Sequence, residues 1–324
     1  MQAVVFDEVL QYRADFPEPN ASGDRIIVDV IQAGICETDL QLCRGYMCFR
    51  GILGHEFVGT ARSGRFAGQR VVGEINCACG ACELCRRGLP THCSQRTVIG
   101  ILNHHGAFAD CLWVPEQNLH PVPDDISDDQ AVFTEPVAAA CRIPQQIDLT
   151  GNEFVVVLGD GRLGNLCAQV LQHHGCRVTL VGKHDFKLRL ARAFGITAER
   201  TTDFSGRKCA DLVVDCTGSP TGFTDAMSIV RPCGTIVLKT TVAAEQPLHL
   251  APLVIDEIRV VASRCGPFDA ALKLLQTDAV QVVPMISARY PLSEAAEAFR
   301  RAADKQTLKV LFNVQTGQES ARRL

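Results

Sequence analysis

The stretch FVVVLGDGRLG, residues 154–164, carries the strongest fold signal in this chain. An apolar run of strand type leads directly into three glycines, Gly159, Gly161 and Gly164, in the spacing GxGxxG, and a helical pattern follows. The first glycine permits a tight turn, the second lets the backbone approach a pyrophosphate, and the third lets the helix pack closely on the strand. We therefore expect a dinucleotide at this turn, with an ordinary strand-to-helix turn as the alternative. The predicted contacts are Gly159, Gly161, Arg162, Leu163 and Gly164.

Strands and helices alternate on both sides of this turn, over residues 144–266. That alternation predicts α/β architecture, a doubly wound parallel sheet of Rossmann type covered by helices. Residues 1–143 instead show short alternating runs broken by glycine and proline, which is typical of a β-rich domain. We expect the tail, 267–324, to pack back onto this β-rich domain. The chain is thus predicted to form two domains, 1–143 with 267–324 and 144–266.

The second strand of the predicted Rossmann domain ends in Gly182, Lys183 and His184. In NAD-binding proteins an acid at this place accepts a hydrogen bond from the ribose 2′-hydroxyl, whereas a 2′-phosphate needs cations. The acid is missing here and two basic residues follow, so the sequence favours NADP. Since Asp185 stands only two residues beyond Lys183, NAD remains possible. We also assign Thr217 and Lys239 to the cofactor site.

Four cysteines, Cys79, Cys82, Cys85 and Cys93, are spaced three, three and eight residues apart in CGACELCRRGLPTHC. This spacing brings four sulfur ligands together on one short segment, as a closed tetrahedral zinc site requires. A disulfide pair or reduced core cysteines are the alternatives, but the glycines and charged residues between the cysteines are not typical of a core. We interpret the segment as a structural zinc site.

A second, open metal site is predicted from GICETD, GHE and TEP. Cys36, His55 and Glu135 supply a thiolate, an imidazole and a carboxylate, and a catalytic zinc uses three protein ligands and leaves one position open. Each of these residues alone would more often be a packed core residue. Their combination with a cysteine cluster and a dinucleotide motif favours a catalytic metal.

Composition excludes several other functions. At 324 residues and net charge −4, the chain has no basic stripe for nucleic acid, and no apolar run reaches the roughly 18–20 residues that a membrane helix needs. The first residues, MQAVVFDEVLQY, lack the pattern of a secretory signal. The sixteen cysteines fit reduced thiols better than disulfides, so we expect a cytoplasmic protein without nucleic-acid or membrane partners.

Taken in order, GICETD, GHE, CGACELCRRGLPTHC, GAFAD, TEP and GDGRLG resemble the zinc-dependent medium-chain alcohol dehydrogenase family over essentially the whole chain. Within this family, the glutamate in TEP resembles the residue found at this place in the sorbitol, glucose and threonine dehydrogenase branch. The resemblance implies a Rossmann domain and a catalytic domain of distorted-barrel, GroES-like type. It also implies two zinc ions per chain and a homodimer or homotetramer.

The resemblance also implies roles for single residues. Cys36, His55 and Glu135 would hold the catalytic zinc, and Glu56 would ligate it in some states. Asp39 would orient His55, and Thr38 would pass the substrate proton toward the cofactor ribose. Many relatives place a histidine at position 41, where this chain has Gln41, so the last step of that relay departs from the family pattern.

The expected function is hydride transfer between NADP and a small-molecule secondary alcohol (a polyol, sugar or amino alcohol) or the corresponding carbonyl compound. One alternative is a catalytically silent family member that binds zinc and cofactor. A second is a zinc-free quinone or enoyl reductase, against which the Cys36, His55 and Glu135 set argues.

Overall fold

A computed structural model describes residues 1–20, 22–240 and 248–315 and divides into two compact units. One unit contains Met1–Glu135 and the segment from Val282 onward, and the other contains Pro136–Gln281. The predicted domain bound at 143/144 lies eight residues after the observed change of unit at 135/136. The predicted bound at 266/267 lies fifteen residues before the observed change at 281/282. The last part of the predicted catalytic domain, 316–324, lies outside the described residues.

The first unit begins with ten short strands and three short helices. In chain order they are β1 Ala3–Asp7, β2 Val9–Arg13, β3 Arg25–Gly34, α1 Glu37–Leu42, β4 Gly51–Ile52, β5 Glu56–Ala61, β6 Arg70–Gly73, β7 Asn76–Cys77, α2 Glu83–Arg86, β8 Thr97–Val98, β9 Cys111–Pro115, β10 Leu119–Pro121 and α3 Asp128–Ala131. The chain then enters α4, Thr134–Gln146, which spans the division between the units.

The second unit alternates strands with helices, as the sequence predicts. Its elements are β11 Phe154–Leu158, α5 Arg162–His173, β12 Arg177–Gly182, α6 Asp185–Ala193, β13 Thr197–Arg200, β14 Ala210–Asp215, α7 Gly222–Ile229, β15 Val230–Leu238, α8 Ala251–Ile255, β16 Arg259–Ala262 and α9 Phe268–Gln276. The chain returns to the first unit with β17 Ile286–Tyr290, α10 Ala295–Ala303 and β18 Lys309–Asn313.

The second unit is built on a six-stranded parallel sheet in the order β13-β12-β11-β14-β15-β16. The central strands read as continuous apolar runs because both faces are covered, and Val156, Val213 and Ile236 are fully buried. The strand order reverses between β11 and β14, and open α/β sheets bind ligands outside the carboxyl ends of the strands at such a reversal. This topology confirms the predicted Rossmann sheet.

The main sheet of the first unit has seven strands, in the order β10-β6-β5-β3-β18-β17, with β9 also paired to β3. Strand β3 is ten residues long and lies between β5 and β18, so Gly34 at its end faces Glu56 on one side and Leu311 on the other. This register places Gly34 between Leu311, in the last described strand, and Glu56, the residue that follows His55. The β-rich architecture confirms the fold class predicted for this unit.

Helix α4 explains why the units divide earlier than the sequence predicts. A methyl group added at Gly266, in the segment after β16, would lie 1.8 Å from the carbonyl oxygen of Ala138 in α4. The Lys239 ammonium at the end of β15 also donates to the Ala139 carbonyl at 2.6 Å. Most of α4 therefore packs with the parallel sheet.

Among the described residues, no helix combines the length and apolar character that crossing a membrane requires.

Candidate functional site

The four predicted cysteine ligands form one cluster in the loop around α2. The Sγ–Sγ distances are 3.5 Å for Cys82–Cys85, 3.7 Å for Cys82–Cys93 and 3.5 Å for Cys79–Cys93. Four sulfurs about 2.3 Å from a zinc ion lie roughly 3.8 Å apart, whereas bonded sulfurs lie about 2.0 Å apart. The cluster therefore fits a tetrahedral metal and not a disulfide.

Backbone N–H groups donate to the sulfurs of Cys79 and Cys93 and lower the pKa of Cys79 and Cys82, whereas desolvation raises the pKa of Cys85 to about 12. The Cys79 amide donates to Cys93 Sγ at 3.4 Å, and the Cys82 amide donates to Cys79 Sγ at 3.3 Å. The Cys85 backbone lowers the pKa of Cys82 to about 6. Since zinc binds thiolates, the lowered pKa values of Cys79 and Cys82 fit a metal ligand role for these two residues. Gly80 and Gly88 adopt positive φ, which lets the loop turn sharply on both sides of α2.

A second cluster combines Cys36, His55 and Glu56, whose ligand atoms all lie within 4.8 Å of one another. Cys36 stands at the start of α1, and His55 directly precedes β5. His55 and Glu56 are 3% and 2% exposed, and Cys36 is half-buried. A thiolate, an imidazole and a carboxylate are suitable zinc ligands, so the residues fit a catalytic metal.

Asp39 lies behind this cluster and connects its parts. It is fully buried, accepts hydrogen bonds from the Cys36 amide at 2.8 Å and the Gly54 amide at 3.1 Å, and lies 3.4 Å from His55 Nδ1. Burial by itself lowers the pKa of His55. The negative charges of Asp39 and Cys36 raise this pKa by a larger amount, so the net pKa is well above its usual value. The same field favours a bound cation.

The sequence analysis missed Lys309, which forms a buried ion pair with Glu56. The two side chains are 1% and 2% exposed, and Lys309 reaches Glu56 from β18. The Lys309 ammonium also lies 5.3 Å from the centroid of the Phe133 ring. A lysine within the apolar strand LKVLFNV was the available sequence signal, because a lysine is rarely buried without a partner.

Of the remaining residues named from the sequence, Glu135 stands apart from this cluster and Thr38 lies next to it. Glu135 lies in the first turn of α4, is half-buried, and is not among the residues whose ligand atoms group within 4.8 Å. Its assignment as a zinc ligand stays a prediction. The Thr38 hydroxyl lies 3.8 Å from Cys36 Sγ, so it is next to the cluster. The Gln41 amide donates to the Glu37 carboxylate at 2.7 Å on the exposed face of α1.

Each glycine of the GxGxxG turn meets a different structural requirement. Gly159 has φ of +106°, and a methyl group there would lie 2.6 Å from the Cys216 carbonyl oxygen. A methyl group at Gly164 would lie 1.8 Å from the Gly159 carbonyl oxygen, whereas one at Gly161 would meet nothing within 4 Å. Gly161 also precedes α5, so the open space at this residue adjoins a helix N-terminus. The turn therefore fits a pyrophosphate.

The other predicted cofactor contacts lie at the carboxyl ends of the strands. Arg162 and Leu163 form the start of α5, and Gly182, Lys183 and His184 connect β12 to α6. The Thr217 amide and hydroxyl both donate to Asp215, at 2.9 and 2.7 Å. Lys239 donates to the carbonyls of Ala139 and Arg264 and to the Ser263 hydroxyl. These contacts give Lys239 a structural role, and its cofactor contact stays a prediction.

Asp160, the second residue of the glycine turn, was also missed. Its carboxylate accepts hydrogen bonds from the Lys183 and His184 amides at 2.7 and 2.6 Å and from His184 Nδ1 at 3.0 Å. A methyl group at Gly182 would lie 2.4–2.6 Å from the Asp160 side chain. Asp160 thus occupies the space that a side chain at the end of β12 would need.

Known proteins match both units. Residues 22–124 match the model of the alcohol dehydrogenase GroES-like domain, and residues 163–277 match that of the zinc-binding dehydrogenases. The chain is 26% identical to the L-threonine 3-dehydrogenase of Legionella pneumophila strain Philadelphia 1, over 92% of this chain and 95% of that protein. It is 27% identical to the sorbitol dehydrogenase of Halalkalibacterium halodurans, over 91% of this chain and 93% of that protein. A protein structure from Sinorhizobium meliloti 1021 with bound NADP has a TM-score of 0.86 and 27% sequence identity to this chain. The match covers 96% of this chain and 98% of that one.

Proposed function

Because this chain belongs to the zinc-dependent medium-chain alcohol dehydrogenase family, in its threonine and sorbitol dehydrogenase-like branch, and is an NAD(P)-dependent alcohol dehydrogenase, we propose that it transfers hydride between NADP and a small polar secondary alcohol. The alcohol would be a polyol, a sugar or an amino alcohol. The cluster of Cys36, His55 and Glu56 with Asp39 behind it is the observation that carries this proposal.

The residues of this cluster would hold a catalytic zinc, with Glu135 as the further ligand that the sequence predicts. When bound, zinc supplies Lewis-acid stabilisation of negative charge on the substrate oxygen. Asp39 accepts a hydrogen bond from the Cys36 amide and lies 3.4 Å from His55 Nδ1, so it would help to orient both ligands before the metal arrives. The buried Lys309 balances the charge of Glu56.

Thr38 would handle the substrate proton, which is supported by its half-buried position and by the 3.8 Å between its hydroxyl and Cys36 Sγ. A hydroxyl can accept a proton in one hydrogen bond while donating its own in another. Gln41 does not titrate, and its side chain is bound to Glu37. We therefore infer that the proton leaves from Thr38 by a route that does not use position 41.

A second zinc would occupy the four-cysteine cluster, where its role would be structural. All four protein ligands come from one segment and match the tetrahedral spacing, so the site has no open position for a substrate. The Arg96 guanidinium donates to the Cys93 carbonyl at 3.1 Å, and the Arg87 guanidinium lies 3.6 Å from the Glu83 carboxylate. Both cations therefore contact other residues of the cysteine loop.

NADP is favoured over NAD by the end of β12. Gly182 carries no acid, the Lys183 side chain is exposed, and the carboxylate of Asp185 is held in an ion pair with Arg200. Cations near the ribose favour a 2′-phosphate. The Sinorhizobium meliloti protein was determined with NADP, which supports the same choice by similarity.

We also propose a homodimer or homotetramer that assembles through the edge of the parallel sheet. Among the described strands, β16 pairs only with β15, and Val260 on it is 42% exposed. In α8 beside it, Val254 and Ile255 are each 77% exposed. An exposed apolar strand edge is a natural place for pairing with another chain. None of the sixteen cysteines, all of which lie in the described residues, forms a disulfide, which supports a reducing, cytoplasmic location.

The test is zinc content per chain combined with initial rates of NADP and NAD reduction on polyols, aldoses, amino alcohols and simple secondary alcohols. We expect two zinc ions and turnover on one substrate class, and the His55→Ala variant should lose turnover while still binding NADP. Tight NADP binding and two zinc ions without turnover on any compound would favour the silent family member. Turnover unaffected by His55→Ala would refute the metal mechanism.

A further inference from the structure

Asp160 and His184 form a partly buried carboxylate–imidazole pair at the end of β12. The Asp160 side chain is 8% exposed and that of His184 is 26% exposed. His184 Nδ1 lies 3.0 Å from Asp160 Oδ1 and 3.1 Å from Oδ2. An ionised carboxylate only accepts hydrogen bonds, so Nδ1 carries the hydrogen and Nε2 lies on the side of the ring away from Asp160.

The remaining contacts of Asp160 hold the backbone of the same segment. Its Oδ2 atom accepts from the Lys183 amide at 2.7 Å and from the His184 amide at 2.6 Å. The carboxylate therefore binds three N–H groups of two consecutive residues, which fixes where both basic side chains leave the backbone. Asn165 holds the other side of the turn, since its amide donates to the Asp160 carbonyl at 2.9 Å.

Because of these contacts, the Asp160 carboxylate does not act as the acid that selects NAD at the end of the second strand of a Rossmann sheet. An acid at the end of the second strand selects NAD by accepting the 2′-hydroxyl. Asp160 takes up the space of such a side chain, because a methyl group at Gly182 would lie 2.5 Å from its Oδ2. Its oxygens, however, are engaged with the backbone and the imidazole. The neighbouring acid, Asp185, is bound to Arg200 through two guanidinium contacts.

We propose that Asp160 is a positioning residue that acts through His184, holding the imidazole so that Nε2–H donates to the ribose 2′-phosphate and NADP is selected over NAD. Lys183 supplies a cation from the same segment. This inference rests on the NADP-linked function proposed above and assigns its selectivity to a residue of the glycine turn.

The test measures the dissociation constants of NADP and NAD by calorimetry on the full chain, without an alcohol, for wild type, His184→Ala, Asp160→Asn and the double variant. A charge-assisted hydrogen bond corresponds to roughly a ten- to hundredfold change in affinity. We expect His184→Ala to weaken NADP binding by about that factor while NAD binding changes by less than about twofold. Asp160→Asn should lower the NADP preference in the wild-type background and not in His184→Ala.

Two further variants keep the result interpretable. Asp160→Asn also affects two backbone contacts, so His184→Gln, which retains a hydrogen-bonding amide but no charge, should show the same selective loss of NADP affinity. His173→Ala removes an exposed histidine at the far end of α5 and should leave both dissociation constants unchanged.

The outcomes separate the two proposals. If wild type binds NAD more tightly than NADP, the cofactor choice of the proposed function is wrong. If wild type prefers NADP but His184→Ala keeps that preference, only the role of the Asp160–His184 pair is overturned. A higher NADP preference in Asp160→Asn would also overturn it, since the carboxylate would then repel the phosphate.

Discussion

The two cysteine-containing clusters of the first unit are built in opposite ways. The four-cysteine cluster comes from fifteen consecutive residues, and Cys79 is exposed. The Cys36 cluster brings together a helix start, a strand start and, through Lys309, the last described strand of the chain, and His55 and Glu56 are buried. Local spacing is therefore enough to define the first site, whereas the second exists only when β3, β5 and β18 pair correctly.

Removal of the Cys36 thiolate should have the largest effect, and that effect should fall on catalysis. Zinc contributes several kcal/mol to stabilising charge in the transition state, and each 1.36 kcal/mol is tenfold in rate. We expect Cys36→Ala to lower kcat by about 10³-fold and to leave one zinc per chain. Steady-state rates and metal analysis check this, with Cys209→Ala, an exposed cysteine of the second unit, as control. A variant that retained both zinc ions would exclude Cys36 as a ligand.

Lys309→Met tests whether the Cys36 cluster depends on distant parts of the chain. The substitution leaves Glu56 as a buried carboxylate without its cation, which typically costs about 3–5 kcal/mol. Denaturant unfolding should show a loss of that size, and adding Glu56→Gln should recover most of it.

The matched control for Lys309 is the exposed pair of the cysteine loop. Arg87→Ala breaks an ion pair whose side chains are 63% and 78% exposed, so it should change the free energy of unfolding by less than about 1 kcal/mol. Equal effects of Lys309→Met and Arg87→Ala would contradict the buried pair.

Cys82→Ser should separate stability from chemistry in the four-cysteine cluster. Loss of the structural zinc removes folding free energy because the metal binds the folded loop only. We expect the melting temperature to fall by about 10 °C, while the turnover of folded enzyme at 25 °C changes by less than about threefold. Differential scanning calorimetry checks this against Cys48→Ser, an exposed cysteine outside both clusters. An unchanged melting temperature with two zinc ions bound would rule out this role for Cys82.

Asp39→Asn should have the smallest effect, confined to the Cys36 cluster. Residues that orient metal ligands typically change metal affinity by about 10- to 100-fold. Competition with a chelator should show this loss at one zinc site only. Asp124→Asn, an exposed carboxylate of the same unit, should behave like wild type. A loss of affinity at both sites would mean that Asp39 supports the whole unit.

Sequence patterns anticipate which residues lie together where the residues are close in the chain. The cysteine spacing and the GxGxxG turn each specify a conformation within about fifteen residues, and the structure confirms the grouping of the four cysteines and the requirement for glycine at Gly159 and Gly164. The alternation of strands and helices likewise predicted the parallel sheet, because the pattern repeats along the chain.

Sequence reasoning failed where contacts join distant residues. The Glu56–Lys309 pair depends on the register of β3 between β5 and β18. The Asp160–His184 pair depends on two strands lying side by side, although an acid inside the glycine turn was visible. The domain boundary expected at 143/144 lies inside α4, eight residues after the division at Glu135, and a helix gives no local signal of which sheet it covers.

Stepwise removal of zinc by a chelator, with zinc per chain and NADP-dependent turnover measured on the same samples, is the most direct test of a zinc-dependent mechanism at Cys36 and His55. Turnover should fall to background with the loss of one zinc equivalent and return when zinc is restored, while the melting temperature follows the other equivalent. Turnover that persists after both zinc ions have been removed would contradict a catalytic metal in this enzyme.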